Sequence, residues 1–73
     1  GESSRERYME ITVNGEKKSV SPMSVLQFLE SVGIDHRRVA VEYNLDILPK
    51  DTYEKTILKE GDHLEIVHFV GGG

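Results

Sequence analysis

Asn14-Gly15 comes directly after a stretch in which Met9, Ile11 and Val13 alternate with Glu10 and Thr12. The alternation is the period-two pattern of a half-buried strand. Asn-Gly at its end is the strongest short-range hairpin signal, because both central positions of a tight hairpin turn require positive φ. The dipeptide therefore turns the chain straight back, and Glu16 to Val20 reads as the antiparallel partner. Lys17 and Lys18 keep that second strand polar and set it near a sheet edge. An isolated Asn-Gly has no phosphate-binding meaning, so a turn is its whole role.

The rest of the chain builds on this hairpin. Ser21-Pro22-Met23-Ser24 is a helix entry with two readings: Ser21 caps with Pro22 at the first helical position, or Ser24 caps with Gln27 completing a capping box. Val25, Leu26, Phe28, Leu29 and Val32 fall at helical spacing and make one wide apolar face, which is core. Gly33 supplies the stop. Ile34 to Arg38 link the helix to a third strand, Val39 to Tyr43, with Val39 and Val41 turned to the core and Ala40 and Glu42 away from it. Asn44-Leu45-Asp46 is a turn, and Ile47-Leu48 is a short strand ended by Pro49. Asp51 to Thr56 forms one loose helical turn, with Tyr53 and Ile57 plugging the edge of the core. Glu60-Gly61-Asp62 turns the chain into a last strand, His63 to Val70. This order suits an α+β fold in which a mixed four- to five-stranded sheet wraps one helix, with the first and last strands side by side and parallel. That architecture is the β-grasp.

Composition narrows the function. A chain of 73 residues is one small domain that buries only about 60% of the surface its unfolded form exposes. It has no cysteine, which rules out disulfides and thiolate metal sites and suits a reducing, cytoplasmic setting. A net charge of -4 argues against a nucleic-acid partner. No apolar run is long enough to span a membrane, and the N-terminus lacks the apolar core of a signal peptide. The chain is too small to enclose a large active-site cleft, so a stand-alone enzyme is not expected. His63 and His68 fall on opposite faces of the last strand, which defeats a two-histidine metal site. Lys50-Asp51 and Glu54-Lys55 read as ordinary solvated charges. Three parts follow: a disordered extension over residues 1–8, with Gly1 as a tag remnant; a folded domain over 9–70; and a flexible glycine tail over 71–73.

The last strand carries the functional expectation. With Leu64 and Ile66 turned inward, Glu65, Val67 and Phe69 point outward. Val67 and Phe69 then form an exposed apolar patch beside the tail, the mark of a protein partner. Gly71-Gly72-Gly73 follows, with nothing after it to be connected. A strand that releases three residues without side chains presents one reactive group clear of the fold, the Gly73 carboxylate. Gly71 and Gly72 let the backbone thread a narrow channel and approach another protein closely.

Taken in order, several stretches resemble the thiamine-biosynthesis sulfur carrier family, ThiS, over Met9 to Gly73. They are Ile11-Thr12-Val13-Asn14-Gly15-Glu16, Ser24-Val25-Leu26-Gln27-Phe28-Leu29, Val39-Ala40-Val41-Glu42-Tyr43-Asn44, Ile47-Leu48-Pro49-Lys50, Glu60 to Val67 and Phe69-Val70-Gly71-Gly72-Gly73. The resemblance implies a protein co-substrate, monomeric when free and holding no cofactor of its own. A ThiF-type adenylyltransferase would use ATP and magnesium to activate the Gly73 carboxylate. Sulfur relayed from a cysteine desulfurase would convert it to a thiocarboxylate, which thiazole synthase would consume. The small subunit of molybdopterin synthase, with the same fold and terminal chemistry, is the nearest alternative. A ubiquitin-like modifier joined to lysine amines and a plain β-grasp interaction domain are the others.

Overall fold

The computed structural model describes residues 8–69. In chain order these form β1 (Met9–Val13), β2 (Glu16–Val20), α1 (Val25–Ser31), a 3-10 turn at His36–Arg38, β3 (Val39–Tyr43), β4 (Asp46–Ile47), a second 3-10 turn at Lys50–Thr52, and β5 (His63–His68). The expected extension and glycine tail lie outside the described residues, apart from Tyr8.

Asn14 and Gly15 take φ of 51° and 84°, and the hairpin pairs Val13 with Glu16 and Met9 with Val20. The sheet is five-stranded in the order β2-β1-β5-β3-β4. β1 and β5 lie side by side and parallel, while β3 pairs antiparallel with both β5 and β4. This is the mixed sheet expected from a hairpin followed by a crossover helix. Its apolar side supplies Ile11, Val13, Val39, Val41, Leu64 and Ile66 to the core, and α1 supplies Val25, Phe28 and Leu29.

At the helix entry the Ser24 reading holds. The Ser24 hydroxyl accepts from the Gln27 amide at 3.1 Å, and the Gln27 side chain accepts from the Ser24 amide at 2.9 Å. The next two amides, Val25 and Leu26, donate to the carbonyls of Thr56 and Tyr53. All these donors at the start of α1 would otherwise lack partners. At the other end Gly33 takes φ of 78°. Its amide reaches Glu30 and the Ile34 amide reaches Leu29, the paired bonds of a Schellman stop.

Four local expectations are corrected. Val32 is 47% exposed, because the helix ends at Ser31 and Val32 falls past the last packed turn. Ile57 is 54% exposed, and the core position beside Tyr53 goes to Leu58, at 1%. The bridge of Ser24 to Ile57 and the bond from the Leu58 amide to Met23 run this segment in extended form. Alternate side chains then face opposite ways, turning Leu58 in and Ile57 out. The turn after Pro49 begins at Lys50 and is of the tighter 3-10 kind, and β4 is Asp46–Ile47, one residue earlier than expected.

Candidate docking face and tail exit

β5 is gripped along both edges by neighbouring strands and by two asparagines. Asn14 continues the β1 edge past the point where strand pairing stops: its amide oxygen accepts from the Ile66 N–H at 2.7 Å, and its NH2 donates to the Ile66 carbonyl at 3.2 Å. A side-chain amide thus stands in for a neighbouring peptide group. Asn44 does the same at the start of β5, accepting from the His63 N–H at 2.8 Å. It too has φ of 51°, so each asparagine serves at once as a turn residue and as a clasp.

Beneath the start of β5 lies Asp62, 5% exposed. Its carboxylate accepts from the Tyr43 hydroxyl at 2.7 Å, the Lys59 amide at 2.7 Å and the Asn44 side chain at 3.3 Å. A buried carboxylate is tolerated because these donors replace its water. Burial first, and then the bond to Asp62, pushes the Tyr43 hydroxyl up to about 12. The sequence placed Asp62 only in a turn; nothing local to Glu60-Gly61-Asp62 tells that Tyr43 and Asn44 arrive from another strand.

The outward positions of β5 fall where alternation puts them. Leu64 and Ile66 are buried, while Val67 and Phe69 are 55% and 58% exposed and Glu65 faces solvent. In register, Val67 stands opposite Ala40 and Glu65 opposite Glu42 on β3. Ile47 of β4 stands opposite Glu42 and is 70% exposed. The outward surface carrying Glu65, Val67 and Phe69 therefore continues across two further strands. Ile47 was missed because its face depends on the exact register of a two-residue strand.

At the end of β5 the chain is held where it leaves the sheet. The Phe69 amide donates to the Arg38 carbonyl at 3.0 Å. The Lys50 ammonium lies 5.1 Å from the centre of the Phe69 ring and donates to the carbonyls of Arg37 and His36 at 3.1 and 3.3 Å. Lys50 is thus not an ordinary solvated charge: it ties both 3-10 turns to Phe69, the residue just past β5, which ends at His68. Asp35 caps the first of these turns through the Arg37 amide at 2.9 Å and pairs with Arg37 and Arg38. The hydrogen bonds from Arg37 bring its carboxyl down to about 2. His68, turned toward the core side by alternation, is exposed at the strand end, so it needs no buried partner. Gly71, Gly72 and Gly73 lie outside the described residues.

Among the described residues, no group of three or more histidines and carboxylates is placed to hold a metal ion, and no helix is long and apolar enough to cross a membrane.

A five-stranded mixed sheet with a parallel central pair, wrapped on one capped helix, makes this a ubiquitin-like β-grasp domain whose last strand leads into the glycines. Residues 6–73 match the ThiS family, and the chain belongs to it. It is 40% identical over 50 residues to the sulfur carrier protein ThiS of Bacillus subtilis (strain 168), covering 68% of this chain and 76% of that one. The crystal structure of the thiamine biosynthesis protein (ThiS) from Geobacter metallireducens has a TM-score of 0.76 at 32% identity, covering 89% of this chain and 100% of the other. The thiazole synthase of Paramagnetospirillum magneticum is 47% identical over 66 residues, covering 89% of this chain but 20% of that protein. The chain thus spans about a fifth of the length of that relative.

Proposed function

We propose that the chain is a sulfur carrier for the thiazole branch of thiamine biosynthesis, with the Gly73 carboxylate as its working group. The observation that carries the reading is a family match running through the glycines to residue 73. A carboxylate is a poor acyl donor until one oxygen becomes a leaving group. A ThiF-type adenylyltransferase supplies this by joining the carboxylate to the α-phosphate of ATP, with magnesium, and releasing pyrophosphate. A persulfide sulfur derived from cysteine through a desulfurase then attacks the carbonyl carbon and displaces AMP. A thiol cleaves the resulting acyl disulfide and leaves the thiocarboxylate. Thiazole synthase is the acceptor, a choice supported by relatives of that name that contain a stretch similar to this chain. The chain is a co-substrate of these enzymes in the cytoplasm and catalyses none of the steps.

Gly71 and Gly72 serve as the thread, since a Cβ would crowd a channel that must admit backbone. Val67, Phe69 and Glu65 serve as the docking contact, supported by their exposure next to the thread. The test is the intact mass of the chain after incubation with the adenylyltransferase, ATP, magnesium and a sulfur source. Exchange of one oxygen for sulfur at Gly73 is the expected result. A protein-sized adduct would instead mark a modifier, and an unchanged mass would reject the carrier reading.

A further inference from the structure

We propose that the outer face of β3, β4 and β5 docks in a single orientation on a partner surface presenting a lysine or arginine, flanked by apolar side chains, between the carboxylates of Glu42 and Glu65. The inference rests on the carrier reading and names the chemistry of the partner: it is the enzyme that takes the tail into its active site.

Glu42 and Glu65 stand directly opposite each other on adjacent strands. Like charges in that position destabilise a sheet. Glu10 has Lys17 beside it, Glu16 has Lys18, and half-buried Asp35 has Arg37 and Arg38, whereas the exposed Glu30, Asp46, Asp51, Glu54 and Glu60 form no ion pair among the described residues. Among the described residues, Glu42 and Glu65 likewise form no such pair. They also sit within an apolar surround, with Ile47 opposite Glu42 and the Ala40–Val67 pair two residues along. A cation arriving from outside would turn the repulsion into two attractions. The apolar rim would close over it, excluding water and strengthening both.

The face also has a direction. Along β5 it runs from the two carboxylates, past Val67, to the Phe69 ring with the Lys50 ammonium 5.1 Å from its centre. Negative, apolar and positive groups follow one another toward the tail. A partner with the matching sequence of charges can seat in one sense only, with the Phe69 end of the face leading. Charge order thus performs the aiming, and the apolar side chains supply contact area.

The test compares the full chain with the Glu42→Gln/Glu65→Gln double variant in ATP–pyrophosphate exchange by a ThiF-type adenylyltransferase, at low and at high salt. At low salt KM for the variant should rise roughly tenfold, as expected when two partly exposed ion pairs are lost, with kcat unchanged. Its KM should also lose most of the salt dependence seen with the parent chain. The melting temperature of the variant should rise, since the cross-strand repulsion is gone, so weaker docking cannot be put down to misfolding. An unchanged KM with the same salt dependence overturns the docking inference while exchange by the parent chain upholds the carrier. Absence of exchange with the parent chain overturns the carrier reading and the docking inference with it.

Discussion

Replacing Asn14 by glycine separates its two jobs. Glycine takes the φ of 51° found at this position without strain, so the hairpin turn keeps its conformation. What is lost is the clasp on Ile66, one bond of 2.7 Å and one of 3.2 Å. A net contribution of about 1 kcal/mol is usual for a good hydrogen bond, and the longer one falls toward the lower end of the range. With the added chain entropy of glycine in the unfolded state, Asn14→Gly should cost about 2 kcal/mol. A domain of this size has roughly 5 kcal/mol in total, so the loss is large, corresponding to a melting temperature lower by about 10 °C. Urea unfolding measures the global loss. Amide hydrogen exchange at Ile66 locates it, because that N–H gives up its acceptor while amides within the β1–β2 hairpin keep theirs. If Asn14 were only a turn residue, glycine would serve about as well. Stability within about 0.5 kcal/mol of the parent, with unaltered exchange at Ile66, would refute the clasp.

The remaining expectations concern one buried tyrosine, one half-buried tyrosine and one strained turn. The Tyr53 hydroxyl is enclosed with no hydrogen-bond partner among the described residues; Tyr53→Phe removes this uncompensated group and should stabilise the fold by about 1 kcal/mol, read by urea unfolding. Tyr43 is held in its neutral form, with its hydroxyl raised from 10.0 to about 12, so its contribution is complete below pH 10 and is lost as the pH climbs toward 12. Stability measured across that window should fall less steeply in Tyr43→Phe than in the parent; an identical slope would remove Tyr43 from the account. Leu45 takes φ of 78° while 88% exposed, so Leu45→Gly relieves a left-handed leucine without sacrificing packing and should raise stability by roughly 0.5 kcal/mol on thermal unfolding.

Elements that depend on neighbours in sequence were legible from residues alone. The Asn14-Gly15 hairpin, the Ser24–Gln27 box and the Gly33 stop each lie within a few positions, and local chemistry decides them. The inward set Leu64 and Ile66 and the outward set Glu65, Val67 and Phe69 also followed, because a strand alternates whatever lies beside it. What escaped required partners from far along the chain. Asp62 looks like a turn residue until Tyr43 and Asn44 are brought to it, and Lys50 looks solvated until the Phe69 ring is placed beside its ammonium. Ile57 and Leu58 show the reverse failure: two adjacent apolar residues in an irregular segment carry no period, so only the bridge to Ser24 decides which is buried. Much of the proposed docking face was visible, then, but its width across Ile47, Ala40 and Glu42 was hidden in sheet register.

The distribution of satisfied and costly groups over β5 has its own logic. The strand is paired along both edges, clasped by Asn14 and Asn44, and seated over a fully engaged Asp62. Two unfavourable features remain: a left-handed Leu45 in the turn from β3 to β4, and, on the outer face of β5 itself, Glu65 opposed to Glu42 of β3. Both departures should be removable with a gain in stability, but their effects on function should differ. Leu45→Gly alters a side chain that lines a pocket with Asn44 and His63 at the start of β5, the end away from Val67 and Phe69, so sulfur loading should be unaffected. Neutralising Glu42 and Glu65 should stabilise the free chain while weakening its capture by the activating enzyme. A domain selected for stability alone would lose both features. One that must present a firmly held strand with two like charges opposed on its face would retain the second, and the contrast between the two variants measures how much of the face is kept for a partner.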